Sequence, residues 1–247
     1  MDLAAKFRLI EKLPKSLGDK LIQSAIYKYY KKYANVKITG YENIEKLEGP
    51  IIFIANHLSN ADGLVLNKVL EKKKPIFVAG EKLSENSFTK MGVRIIETIT
   101  IKPNSADKEA IAKIIKRLKE GRNIVIFPEG TRSRTGSMIE AKKGLLLIAK
   151  MSKATIVPIG LCGTEDFMPI NDNDMGQESF RRADIFINIG SPVEIVEKQK
   201  DEDKNNYSNR ALRELMLSVA KLVPEKYRGV YSLEENNDEI SSSQTSE

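Results

Sequence analysis

Consecutive apolar residues in runs too short for helices constrain this chain most. Pro50-Ile51-Ile52-Phe53-Ile54, Asn123 to Phe127 and Ala154 to Leu161 each read as a buried strand, because their apolar positions do not alternate with polar ones. Pro75 to Ala79 and Ala183 to Gly190 read as further strands, Val93 to Ile101 as a strand of β-branched residues, and Val36-Lys37-Ile38 as an edge strand. Between them stand stretches of helical period. These are Leu64 to Leu70, a short Asn86 to Met91 closed by Gly92, Ala106 to Glu120 with Ser105 as N-cap and Gly121 as C-cap, Lys142 to Ser152, and a long Asp201 to Val223. Thr164 to Arg182 has no clear period, and its Asn171-Asp172-Asn173-Asp174 run suggests a mobile loop. Strands alternating with helices predict one α/β domain, a mixed and mostly parallel sheet flanked by helices.

That domain spans residues 35–231. Residues 1–34 precede it as an amphipathic two-helix segment, and residues 232–247 follow as an acidic, Ser-rich tail that reads as disordered. In the first segment Leu3, Phe7, Ile10 and Leu13 form one stripe. Leu17, Leu21, Ala25, Ile26, Tyr29, Tyr30 and Tyr33 form another, with Pro14 and Gly18 bracketing the break. Eight basic residues stand there against three acidic ones. Such a pair fits the headgroup plane of an anionic membrane, lysines toward lipid; packing on the domain with the lysines in water fits the pattern as well.

The tail from Glu234 holds five carboxylates and no base, so the rest of the chain carries +11 against +6 for the whole. A basic body suits nucleic acid, anionic lipid or a phosphorylated substrate. With 6% aromatic residues, no Trp and no zinc-finger or RNP-like motif, nucleic acid is not the expected partner. The single cysteine, Cys162, excludes an intrachain disulfide framework and a cysteine-based zinc site, and is compatible with a cytosol-facing, reducing location. No signal peptide is visible at the charged N-terminus, and no stretch approaches the ~20 apolar residues of a membrane span.

His57 is the only histidine in 247 residues. It falls where the first buried run gives way to a helix, and Asp62 follows five positions on. A turn between them would let the carboxylate hold one ring nitrogen as N–H and leave the other free to take a proton. Ser59, Asn60 and Asp62 are equally good N-caps for the helix that follows. A second stretch, Phe127-Pro128-Glu129-Gly130-Thr131-Arg132-Ser133-Arg134, leaves another buried run about seventy residues later. Ligand sites in such sheets gather at strand C-terminal ends, and His57, Lys102 and the Glu129–Arg134 loop are all expected there.

Together these stretches resemble the glycerophospholipid acyltransferase family of the 1-acylglycerol-3-phosphate acyltransferase type. Asn56-His57 with Asp62 matches its NHxxxxD motif, Phe127 to Arg134 its FPEGTRSR motif, and Ile156-Val157-Pro158-Ile159 its proline-containing fourth motif. The resemblance runs from about Pro50 to Pro192. It implies transfer of a fatty acyl group from acyl-CoA or acyl carrier protein to the free hydroxyl of a lysophospholipid, 1-acylglycerol 3-phosphate in the first instance, by a peripheral protein on the cytoplasmic face of a membrane. His57 would be the base and Asp62 its orienter. An imidazole's ordinary pKa of about 6.5 suits that work, and a thiol leaves readily, so neither a metal nor another cofactor is required. Glu129, Gly130 and Thr131 inherit a role in binding the glycerol phosphate. Arg132 offers a guanidinium fork to phosphate oxygens, and Arg134 is either a second ligand or a solvated charge. Ser59 reads as a cap or loop residue, and Cys162 as core.

The family's second motif is only partly matched. Gly92 leads to Ile99-Thr100-Ile101-Lys102-Pro103, with proline roughly where arginine is expected. Lys102 supplies the missing contact, or the acceptor is glycerol 3-phosphate or another lysolipid. A non-catalytic lipid-binding protein is the reading from outside enzymology. No acyl groove can be located from sequence; Leu58 and Leu64 near His57 fit a groove and a core equally.

Overall fold

The computed structural model describes residues 13–81, 95–102, 107–171 and 179–232. The Leu3–Ile10 stripe, the Asn86–Met91 helix, Ser105 as a cap, Asp172 to Asp174 and the tail beyond Ser232 lie outside the described residues. In chain order the elements are α1 Lys15–Tyr33, β1 Ala34–Thr39, α2 Glu42–Glu45, β2 Ile51–Ala55, α3 Asp62–Val69, β3 Ile76–Gly80 and β4 Thr98–Ile101. They continue with α4 Lys108–Lys119, β5 Ile124–Ile126, α5 Gly144–Ser152, β6 Thr155–Cys162, α6 Thr164–Phe167, β7 Ala183–Ile189, α7 Lys204–Ala220 and α8 Glu225–Arg228.

The strands form one seven-stranded sheet in the order β1-β7-β6-β2-β5-β3-β4. From β6 to β4 every pairing is parallel; β7 runs antiparallel to β6 and carries β1 with it. The sheet is thus mixed and mostly parallel, and β1 is an edge strand. All five residues of β2 are buried, which explains its unbroken apolar run. Ile51, Phe53 and Ala55 face one core, shared with Ile22, Val65 and Phe167; Ile52 and Ile54 face the other, shared with Ile114, Ile148 and Met216.

Local details depart from expectation at element ends. No side chain caps α3: its N-cap position is Ala61, and Asp62 is already inside the first turn. Asp107 caps α4, accepting from Ala110 N. The strand expected over Val93–Ile101 begins, among described residues, at Thr98. Part of the stretch without period is helical, Thr164–Phe167. The stripe expected on α1 splits. Ile22 and Ile26 are buried against the domain, whereas Leu17 and Leu21 are 48% and 41% exposed. Among the described residues no helix is long and apolar enough to cross a membrane.

Candidate active site

Parallel register brings the C-terminal ends of β2, β5, β3 and β4 to one edge of the sheet, so His57, the Glu129–Arg134 loop and Lys102 all emerge there. The loop after β2 turns back on itself. Asp62 is wholly buried, and its Oδ2 accepts from His57 Nδ1 at 2.7 Å, from Leu58 N at 2.7 Å and from Ser59 N at 2.9 Å. Two backbone donors fix the carboxylate, and the carboxylate fixes the ring. Nδ1 therefore carries the proton, and Nε2, with no hydrogen-bond partner among the described residues, is the acceptor. The imidazole side chain is 18% exposed. One of its faces stacks on Phe127, with ring centroids 4.2 Å apart and planes 16° from parallel.

Neighbouring segments hold this loop in place. Asn56 is buried and closes a two-bond clamp on Leu161 in β6, donating to its carbonyl and accepting from its N–H. Ser59 Oγ donates to Met168 O and accepts from Ala61 N, so this hydroxyl is a loop staple. Cys162 is buried, and burial pushes its thiol up to about 12; it is a core residue, not a thiolate.

Glu129 points into the protein. It is wholly buried, Oε1 accepting from His57 N at 2.9 Å and Oε2 from Ile139 N at 3.0 Å. Both oxygens face backbone amides. The side chain ties the His57 loop to the loop after β5 through these two amides. Burial, with a smaller contribution from nearby Asp62, pushes its carboxyl up to about 7 against the opposing pull of the two amides. Ser133 N donates to His57 O, a second tie between the two loops. Gly130 has φ +72°, and that left-handed turn is what requires glycine. Thr131 and Arg134 are exposed, and Arg132 is half-buried.

Lys102, Lys142, Lys143 and Gly130 line a cavity of about 790 Å³ whose other walls are mostly apolar, with Val78, Ile111, Ile126 and Leu147 among them. Phe127, the ring beneath His57, is part of the same wall. Leu58 and Leu64 belong to the core and not to this groove. Sequence reasoning missed Phe127 as the stacking partner, Asn56 as the clamp and Glu129 as the strut. All three sit inside the recognised motifs, but letters in a row do not say which way a side chain turns. Among the described residues no group of three or more His, Cys, Asp or Glu could hold a metal ion.

Residues 35–162, slightly more than half of the chain, match the Acyltransferase family model. The 1-acyl-sn-glycerol-3-phosphate acyltransferase of Borreliella burgdorferi is 33% identical over 139 residues, which are 54% of this chain and 54% of that protein. The chloroplastic 1-acyl-sn-glycerol-3-phosphate acyltransferase of Arabidopsis thaliana is 28% identical over 145 residues, 59% of this chain and 40% of that protein. The chain thus spans about half the length of these relatives. The crystal structure of the 1-acyl-sn-glycerophosphate acyltransferase PlsC from Thermotoga maritima superposes with a TM-score of 0.59 at 24% identity, covering 84% of this chain and 80% of that one, a likeness of fold.

Proposed function

Because this chain belongs to the acyltransferase family, we propose that it moves a fatty acyl group from a thioester, acyl-CoA or acyl carrier protein, to the free hydroxyl of 1-acylglycerol 3-phosphate. The observation that carries the reading is the contact between His57 Nδ1 and the buried Asp62 at 2.7 Å, with Nε2 left as the acceptor. Nε2 takes the hydroxyl proton as the oxygen attacks the thioester carbonyl. Asp62 stabilises the imidazolium so formed, and the tetrahedral intermediate collapses by expelling the thiolate, which recovers the proton. Cys162 is buried with its thiol pushed up to about 12, and Ser59 Oγ is engaged, so no acyl-enzyme is invoked.

Arg132, Lys102 and Arg134 are the proposed phosphate contacts, and the apolar cavity is the proposed seat of an acyl chain. Exposed Leu17 and Leu21 beside Lys20 and Lys28 support docking of α1 in the headgroup plane of an anionic, cytoplasm-facing membrane. One observation favours a second acceptor. Pro103 stands roughly where the family resemblance leads one to expect arginine, so glycerol 3-phosphate or another lysolipid belongs in the same assay.

The test is thiol release and lipid product on mixing acyl-CoA or acyl carrier protein thioester with a panel of acceptors. The wild type should release thiol only with acceptor present. His57→Ala, the chain's sole imidazole removed, should lose about 10²–10⁴-fold in kcat with its fold intact. A folded His57→Ala protein that retains transfer sinks the mechanism, and thiol release into water alone would make the protein a hydrolase.

A further inference from the structure

We infer that a basic cleft beside the His57 loop holds the phosphate-bearing nucleotide tail of a coenzyme A-type thioester donor, an inference that rests on the acyl-transfer reading above. The cleft has a volume of about 1120 Å³ and opens where β6 ends and β7 and β1 begin. Lys31 and Lys32 reach it from the last turn of α1, Arg181 and Arg182 from the approach to β7, and Lys226 from α8. Against these five cations stand two carboxylates, Asp166 and Asp184, and Asp184 already accepts from Asn35 Nδ2 at 2.6 Å. Cations converging on one concavity from three separate segments repel one another, and a polyanion relieves that cost. A flat bilayer cannot enter a concavity. A compact polyanion with two or three phosphates can, and guanidinium pairs are the groups that grip phosphate in two bonds.

The cleft shares its wall with the catalytic loop. Asn56 clamps Leu161, and the next residue, Cys162, lines the cleft. Ser59 holds Met168, and the next residue, Pro169, lines it too. The sheet order completes the case. The apolar cavity lies over the ends of β5, β3 and β4, the basic cleft over β6, β7 and β1, and β2, which presents His57, runs between. A donor laid across this edge would have its acyl chain in the first, its thioester at His57 and its anionic tail in the second. A carrier protein in place of the nucleotide would have to insert surface groups into the cleft, and the volume fits a small molecule better.

The test compares wild type with the Arg181→Glu/Arg182→Glu double variant and with Lys226→Glu, all at exposed positions. Free coenzyme A is titrated calorimetrically into each, and kcat/KM is measured for acyl-CoA and for acyl-pantetheine, which lacks the nucleotide. The wild type should bind coenzyme A and prefer acyl-CoA. In the variants the Kd should rise at least about tenfold, and the acyl-CoA preference should fall by a similar factor. Unchanged Kd and preference overturn the inference. So does a wild type that accepts only the carrier-protein thioester and fails to bind coenzyme A, and so does loss of binding to anionic vesicles with coenzyme A affinity intact. If coenzyme A binds in a cleft-dependent way but no protein transfers acyl groups, the cleft stands and the acyltransferase reading falls. If transfer proceeds independently of the cleft, the reverse holds.

Discussion

Glu129 spends both carboxylate oxygens on backbone amides, of His57 and of Ile139, and none on solvent. Glu129→Gln would keep one acceptor and turn an NH₂ toward one of those two N–H groups. One buried donor would then lose its partner, at a cost of about 1–3 kcal/mol. The loop that presents His57 would also loosen, so kcat should fall while KM for the acceptor stays near the wild-type value. Urea unfolding and steady-state kinetics on the variant check both. A fall in acceptor affinity alone would restore the glutamate to the substrate. The pH dependence has a definite sign. Burial raises this carboxyl from an ordinary 4.5 to about 7, so the folded state holds its proton more tightly than the unfolded one. That contribution to stability is fully present below about 4.5 and is lost as pH rises toward 7, so wild-type stability relative to Glu129→Gln should decline across that window and level off above it. The sequence made His57, Asp62 and the Phe127–Arg134 motif legible as a constellation, because residue types and spacing carry that chemistry. The direction of Glu129 and the stacking of Phe127 depend on two loops 72 positions apart meeting face to face, which no local pattern records.

At the scale of elements, α1 shows what periodicity resolves and what it does not. Leu17, Leu21 and Ile26 read as one apolar stripe, yet the domain covers only the row through Gly18, Ile22 and Ile26, and the leucines lie one position over, outside it. A rotation of one residue is about 100° on a helix, and a wide stripe cannot say which of its margins meets the core. The two rows should answer differently to mutation. Ile22→Ala removes a side chain 1% exposed and should destabilise the protein by about 2–5 kcal/mol. Leu17→Ser with Leu21→Ser should leave the unfolding midpoint nearly unchanged and weaken binding to anionic vesicles by about tenfold or more, since each leucine would bury apolar surface in the lipid interface. Co-sedimentation with vesicles and chemical denaturation separate the rows; unchanged vesicle binding in the double variant would return α1 to a packing role alone. The buried strands were legible for the opposite reason, because β2 and β5 are apolar throughout and β6 is apolar after Thr155, which leaves no margin to choose. Their order in the sheet and the reversal of β7 were not legible, since pairing partners are set by long-range contacts.

The whole molecule is two cores separated by one sheet, and β2 belongs to both. Phe53 faces the core beneath α1 and α3, and Ile54, the next residue, faces the core beneath α4, α5 and α7. Neither core can be lost while β2 keeps its pairings to β5 and β6, and β2 cannot leave without exposing both. The site hangs from the same strand, since His57 follows it by two residues and draws its clamp from β6 and its strut from the loop after β5. The two halves should therefore unfold together, and activity should vanish in that single step. Phe53→Ala and Ile54→Ala each empty a wholly buried position, on opposite faces of the sheet, and should cost about 3–5 and 2–5 kcal/mol. Tyrosine emission reports both halves, through Tyr30 and Tyr33 packed on the first core and Tyr227 and Tyr231 buried in the second, and no tryptophan obscures it. Far-ultraviolet circular dichroism, tyrosine emission and residual acyl transfer, followed through one denaturant series, should give coincident midpoints that shift together in either variant. Two separated transitions, or a variant that melts one half while the other stays folded, would mean that the sheet does not couple the cores and that the site is held by only one of them.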